Sequence, residues 1–142
     1  MIAGLLALIA AAVFAGAAFY INIAEHPARM QLPVRAAVRQ WAPSYKRGFA
    51  MQASLAVVGG LAAIAQWYVG GGALWLAGGL ILLANWPFTM LVIMPVNKRL
   101  LASDDLSDSA ITGLLADWNR LHRVRTVLGI LATATMLIAS LG

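Results

Sequence analysis

Two short runs hold most of the side chains able to do chemistry. In the first, Asn22, Glu25, His26 and Arg29 fall at i, i+3, i+4 and i+7. In the second, Leu114, Trp118, Leu121, His122 and Arg125 share one helical face by i+3 and i+4 steps. His26 and His122 are the only two histidines in the chain. Imidazole is the commonest proton carrier near neutral pH and the commonest metal ligand. Three chemistries are open to such a set. Glu25, His26 and His122 could hold one metal ion, since imidazole and carboxylate suit iron, copper or zinc. The two histidines, on different helices, could be the axial ligands of a haem. Without any cofactor, His26 or His122 could take a proton from a phenol or an activated C–H. Glu25 would then orient the base and Arg125 would steady the anion.

Each residue also has a plain structural role open to it. Glu25 could form an ion pair with Arg125 or Arg123 and fix one helix to another. Either histidine could cap a carbonyl. Asn97, two residues after Pro95, could close a helix end. Asn85-Trp86-Pro87 could mark a kink in which Asn85 and Thr89 bond the freed backbone. Gln52 and Gln66 suit helix–helix contacts. Several reaction classes are missing. There is no HExxH, no GxSxG elbow and no glycine-rich phosphate loop. With no cysteine, disulfides, thiolate metal sites and cysteine nucleophiles are excluded.

The elements that must position these residues are set by composition. The chain has 142 residues, of which 62% are hydrophobic and 11% charged. Its mean hydropathy is +0.83. A soluble domain is about 45–50% apolar and about 25% charged, so a soluble globular protein is excluded. Disorder is excluded too, because it needs low hydrophobicity. Residues 1–24, 48–97 and 126–142 carry no charge. One membrane helix needs roughly 20 apolar residues. The middle stretch is long enough for two, divided at Gly70-Gly71-Gly72. We therefore expect an all-α, integral membrane four-helix bundle forming one domain. Its helices lie near residues 2–26, 49–69, 73–95 and 109–141. Pro27 is expected to end the first at His26. A spanning β-barrel would need alternating polar and apolar residues, which runs such as Leu80-Ile81-Leu82-Leu83-Ala84 lack. The first stretch has no basic residue before it and exceeds the apolar core of a signal peptide, so we read it as a retained helix.

All ten basic residues lie in the two segments 25–48 and 97–125. By the positive-inside rule both segments face the cytoplasm and both termini face outward. The basic residues suit a bilayer surface with anionic headgroups, and form neither the stripe nor the tail expected for nucleic acid. Between helices 1 and 2, Val34, Ala37, Val38 and Trp41 form an apolar face. Pro33 opens and Pro43 closes what we expect to be a short interfacial helix, with Trp41 as its anchor. Helix 4 should begin near Ser109 and project below the membrane, with Ser103 or Ser107 as its cap. Asn22, Arg29, Tyr45, Gln52 and Trp118 would then surround Glu25, His26, Asn97, His122 and Arg125 at the cytoplasmic mouth. Ionisable groups at membrane depth are costly and are functional candidates by default.

The runs EHPAR (25–29), WAPSYKR (41–47), MQASLA (51–56), ANWPFTMLVIMPVNKRL (84–100) and WNRLHRVRT (118–126) resemble bacterial members of the anthrone-oxygenase-like family. The resemblance extends over nearly the whole chain. It implies a four-helix membrane protein, bacterial and of the inner membrane. Fungal relatives oxidise anthrones to anthraquinones with molecular oxygen. Family-typical positions correspond to Glu25, His26, Pro27 and Arg29, to Pro95, Asn97 and Arg99, and to Trp118, His122 and Arg125.

The expectation is a membrane-embedded oxidoreductase acting on a lipophilic phenolic or quinone-like small molecule. His26 and His122 would be base or metal ligands, and Glu25 would orient or ligate. Asn97 and Arg125 would stabilise an enolate or phenolate, with Trp118 and Tyr45 as walls. The cofactor is left open between a metal ion, a haem and none. The alternative is a non-catalytic membrane subunit, an assembly factor or a haem- or metal-binding carrier. The glycine pairs and the Ala-rich first helix also suit a homo-oligomer.

Overall fold

The computed structural model describes residues 2–142. The described residues form four long helices and no strand: α1 (Ile2–Arg29), α2 (Val34–Tyr68), α3 (Ala73–Leu101) and α4 (Asp108–Leu141). Each is long and apolar enough to cross a membrane. α1 packs on α2 and α4, and α3 packs on the same two helices. The result is an up-down-up-down bundle. Its outer surface carries side chains such as Leu5, Ile9, Val58, Leu61, Leu91 and Ile138, all exposed. In water such a surface would be untenable. Against lipid it is the expected one, and the chain is an integral membrane protein.

The connections are short and obey local chemistry. Gly70 has φ +101°, a left-handed backbone that glycine adopts without a Cβ clash. The Gly71 N–H donates to the Gln66 carbonyl and closes the end of α2. Ser107 caps α4, its Oγ accepting from the Ala110 N–H at 3.3 Å. Arg35 clamps the α3–α4 loop. It donates to the carbonyls of Ser103, Asp104 and Leu106 and to the Asp108 carboxylate.

Three helix ends differ from expectation. Residues 34–42 are helical, but they are the first turns of α2, which continues through Pro43. An interior proline costs roughly 3 kcal/mol. Here Ala37 and Trp41 are fully buried in a cluster with Ile111, Leu114, Leu115 and Trp118. Burying one large side chain gains about 1.5–3 kcal/mol, so the packed segment outweighs the proline. Trp41 is therefore a core residue and not an interfacial anchor. α1 does not stop at His26, and α3 does not stop at Pro95. In both cases a π-helical turn precedes the proline: Ile21–Glu25 before His26-Pro27, and Thr89–Ile93 before Met94-Pro95. The His26 N–H donates to the Ile21 carbonyl and the Met94 N–H to that of Thr89. The wider turn relieves the clash of the ring with the turn before it, and the helix continues.

The interior has three layers. At the Gly70 end, Ala7, Ala11, Phe14, Ala63, Leu82 and Met136 belong to one apolar cluster. At the opposite end lies the Trp41–Trp118 cluster. Between them α2, α3 and α4 contribute buried polar groups, among them Gln52, Asn85, Thr89, His122, Arg125 and Thr126. Glycines bring the helices close. A Cβ on Gly60 would collide with the Leu83 side chain, and one on Gly129 would stand 2.8 Å from Phe14 Cδ1.

Candidate functional site

His122 is set by hydrogen bonds within the polar layer. Asn22 Nδ2 donates to Asn119 Oδ1 at 2.7 Å and to the Asn119 carbonyl at 3.3 Å. A carbonyl only accepts, so the Asn22 amide has one orientation and its Oδ1 faces the other way. That oxygen accepts from the Thr126 hydroxyl at 2.5 Å and stands 3.4 Å from His122 Nδ1. The Nδ1 must then carry the proton, and Nε2 keeps its lone pair. His122 thus keeps Nε2 as its acceptor atom. Asn22, expected to line a substrate pocket, is not among the walls of the cavity beside His122 and instead contacts the His122 imidazole.

A small cavity of about 20 Å³ lies beside this imidazole. Tyr45, Phe49, Gln52, Trp118, His122 and Arg125 line it. Five of the six are residues that the sequence placed at the site, and they come from α2 and α4. Arg125 is 7% exposed. Among the described residues no carboxylate lies within 4 Å of it, and its Nε has no hydrogen-bond partner. Its guanidinium sits 5.5 Å from the Phe14 ring centroid. A buried cation with no counter-ion is expensive.

Glu25 does not pair with Arg125 or Arg123. It binds Arg29 one turn along at 2.5 Å, and its carboxylate also accepts from the Ser44 hydroxyl. Arg29 donates from Nε to Gln40 as well. The shorter route wins because i, i+4 partners on one helix meet without any helix rearrangement. This network ties α1 to α2 and occupies the Glu25 carboxylate. Among the described residues no three His, Cys, Asp or Glu side chains group closely enough to hold a metal ion. The set Glu25, His26 and His122 does not fit a metal centre.

His26 stands 6.0 Å from the Trp118 ring and His122 4.9 Å from it, centroid to centroid, both stacked. Trp41 meets Trp118 edge-on and stacks on Tyr45 at 4.9 Å. The indole of Trp118 thus contacts both imidazoles, and a cavity of about 20 Å³ is far short of a porphyrin. A haem between the two histidines does not fit. His26 is buried and its Nδ1 has no partner. It packs behind Trp118 and does not line the cavity. Asn97 is fully buried with both amide atoms unpartnered, and it too lies outside the cavity walls.

A second cavity, of about 10 Å³, adjoins the first, and Phe49, Gln52 and Arg125 line both. Its other walls include Asn85, Trp86 and Thr89. Sequence reasoning missed Asn85 and Thr89 as site residues, because the neighbouring Pro87 supplied a local reason for them. Asn85 does bond the backbone, Nδ2 donating to the Leu82 carbonyl at 3.0 Å. Its Oδ1 is left over. An outward groove between α1 and α2, lined by Tyr20, Ile21, Ser44, Gly48 and Met51, shares Ile21, Ser44 and Gly48 with the His122 cavity.

A family model described as anthrone oxygenase matches residues 41–135. The match takes in α2 from Trp41, all of α3 and most of α4, and so every wall of the His122 cavity except Ile21. Among curated proteins and among solved structures nothing matches the chain.

Proposed function

The chain belongs to the anthrone oxygenase family, and from that we propose that it oxidises a lipophilic aryl ketone with an acidic benzylic methylene, using molecular oxygen. The observation that carries this reading is the pairing at one cavity of a base with a free lone pair, His122, and a buried unpaired cation, Arg125.

The chemistry builds on that pair. His122 Nε2 takes a proton from the methylene flanked by two rings. The electron pair runs through the ring to the ketone oxygen, which becomes an aryloxide. Arg125 stabilises this charge in a site from which water is largely excluded. The electron-rich carbon reduces dioxygen and forms a C–O bond, giving a hydroperoxide. Loss of the second C–H proton breaks the O–O bond and releases water. The methylene thus becomes a carbonyl, and one dioxygen is consumed for one water formed. The route asks the protein for a base, an anion site and a dry cavity. Trp118 and Tyr45 wall the cavity, and Asn22 holds the tautomer. His26 and Glu25 brace Trp118 and Arg29 from α1, and Asn97 is buried on α3.

The outward groove between α1 and α2 supports entry of the substrate from the bilayer. The charge distribution supports a bacterial inner-membrane location with both basic segments in the cytoplasm. The test is oxygen uptake by the protein in lipid nanodiscs supplied with a hydroxyanthrone. His122→Ala should lower the rate by about 10²–10⁴-fold, the usual worth of a positioned base. An unchanged rate in a folded His122→Ala protein would remove the assignment.

A further inference from the structure

The second cavity is walled by buried polar side chains from three different helices: Gln52 on α2, Asn85 on α3 and Arg125 on α4. Among the described residues, Arg125 Nε, Asn85 Oδ1 and both amide atoms of Gln52 have no hydrogen-bond partner. Buried polar groups without a partner are rare in native proteins, so four at one place call for an occupant.

Size and hydrogen-bond direction identify that occupant. The cavity measures about 10 Å³. A space of about 10–15 Å³ admits one water molecule, and nothing with a ring or a chain. Arg125 Nε only donates. Asn85 donates from Nδ2 to the Leu82 carbonyl at 3.0 Å, so its free atom is the oxygen and only accepts. The occupant must therefore accept from the guanidinium and donate to the Asn85 amide. Dioxygen has no proton to donate. A chloride ion would suit Arg125 and be repelled by the Asn85 oxygen. A water molecule does both, and it keeps one O–H and one lone pair for whichever Gln52 atom faces it. Gln52 also lines the cavity beside His122, so its other amide atom can serve that side.

We infer that one water molecule is held where α2, α3 and α4 meet, that it bridges Arg125 Nε to Asn85 Oδ1 and Gln52, and that it fixes the plane of the guanidinium at the His122 cavity. Three contacts are the usual number for a buried water. A guanidinium is planar, so a hydrogen bond at Nε also sets the direction of its two terminal nitrogens. Gln52 and Asn85 are then positioning residues for Arg125. That role rests on the anion-stabilising part proposed above for Arg125, whereas the water site rests on size and hydrogen-bond direction alone.

The water and its role are tested separately. An experimental structure in lipid, at a resolution that shows ordered water, should have one peak within about 2.7–3.2 Å of Arg125 Nε, Asn85 Oδ1 and one Gln52 amide atom. No peak there would overturn the site. An anomalous peak there after exchange into bromide would overturn it in favour of a halide. The role is tested by a double-mutant cycle on oxygen uptake, with a hydroxyanthrone in nanodiscs. Asn85→Leu fills the space and displaces the water. It should lower kcat about 10–100-fold, the worth of one hydrogen bond to a charged group. In an Arg125→Met background the same change should alter kcat by less than about 2-fold, because its effect runs through the guanidinium. Asn85→Ser keeps an acceptor and leaves room for water, so it should retain most of the wild-type kcat. Equal losses from Asn85→Leu in both backgrounds, or a loss in Asn85→Ser as large as in Asn85→Leu, would overturn the positioning role. A wild type without turnover would remove the oxidation and the positioning role together, and the peak alone would still decide the water site.

Discussion

Arg125 bears most on the account at the scale of single residues. A cation that is 7% exposed and faces no carboxylate is a cost to folding unless an occupant repays it. Arg125→Met keeps the stem and removes the charge. We expect its melting temperature to equal or exceed that of the wild type and its turnover to fall about 10²–10³-fold, as when one oxyanion donor is lost. A lock between helices would behave oppositely, losing stability first. Thermal unfolding and oxygen uptake measured on the same preparation separate the two. Much of this residue-level picture was legible from spacing. Trp118, His122 and Arg125 share a face by 3.6-residue geometry, and no tertiary information was needed to put them together. The partner of Glu25 was not, because the sequence offers Arg29, Arg123 and Arg125 and only the structure chooses. Asn85 escaped notice because Pro87 gave it a sufficient local role, and that role leaves its oxygen unused.

At the scale of elements, proline was the misleading signal. Pro27, Pro43 and Pro95 all read as ends of helices, and all three lie within them. Two of them come two residues after a π-turn, a device without a sequence signature. Each π-turn adds a residue to its helix, which rotates the later turns by roughly 100° relative to a regular helix. The α1–α2 groove is the other element-level feature. Gly48 stands in it with nothing within 4 Å of where a Cβ would be. Gly48→Trp should therefore fold normally and fill the opening. We expect kcat/KM for a bilayer-borne substrate to fall, since Gly48 borders both the groove and the His122 cavity. An unaltered kcat/KM in that variant would show that the substrate enters elsewhere.

For the whole molecule, the charge gaps in the sequence revealed the four spans and their order before any contact was known. The depth of the site was less legible. The polar set was expected at one membrane face, near Asn97. The second cavity instead reaches Asn85, twelve residues earlier on α3 and about 18 Å away along a helix axis. Local periodicity places residues on faces, whereas depth depends on how four helices slide against one another through contacts such as Gly60 on Leu83. The orientation is testable because the chain has no cysteine. Gly72→Cys and Asp105→Cys would each carry a single thiol for an impermeant maleimide. In intact cells Gly72→Cys should label and Asp105→Cys should label only after permeabilisation. The reverse pattern would invert the proposed topology.

Above all three scales stands one claim, that a base and a buried cation deliver a carbanion to dioxygen. The most direct measurement is isotopic. A hydroxyanthrone would be turned over by the nanodisc protein under ¹⁸O₂, and the product analysed by mass spectrometry within seconds, before carbonyl exchange. The account predicts one ¹⁸O atom in the new carbonyl at a rate that depends on His122. A wild-type protein that forms no quinone above the spontaneous rate, or a quinone whose new oxygen comes from water, would contradict it.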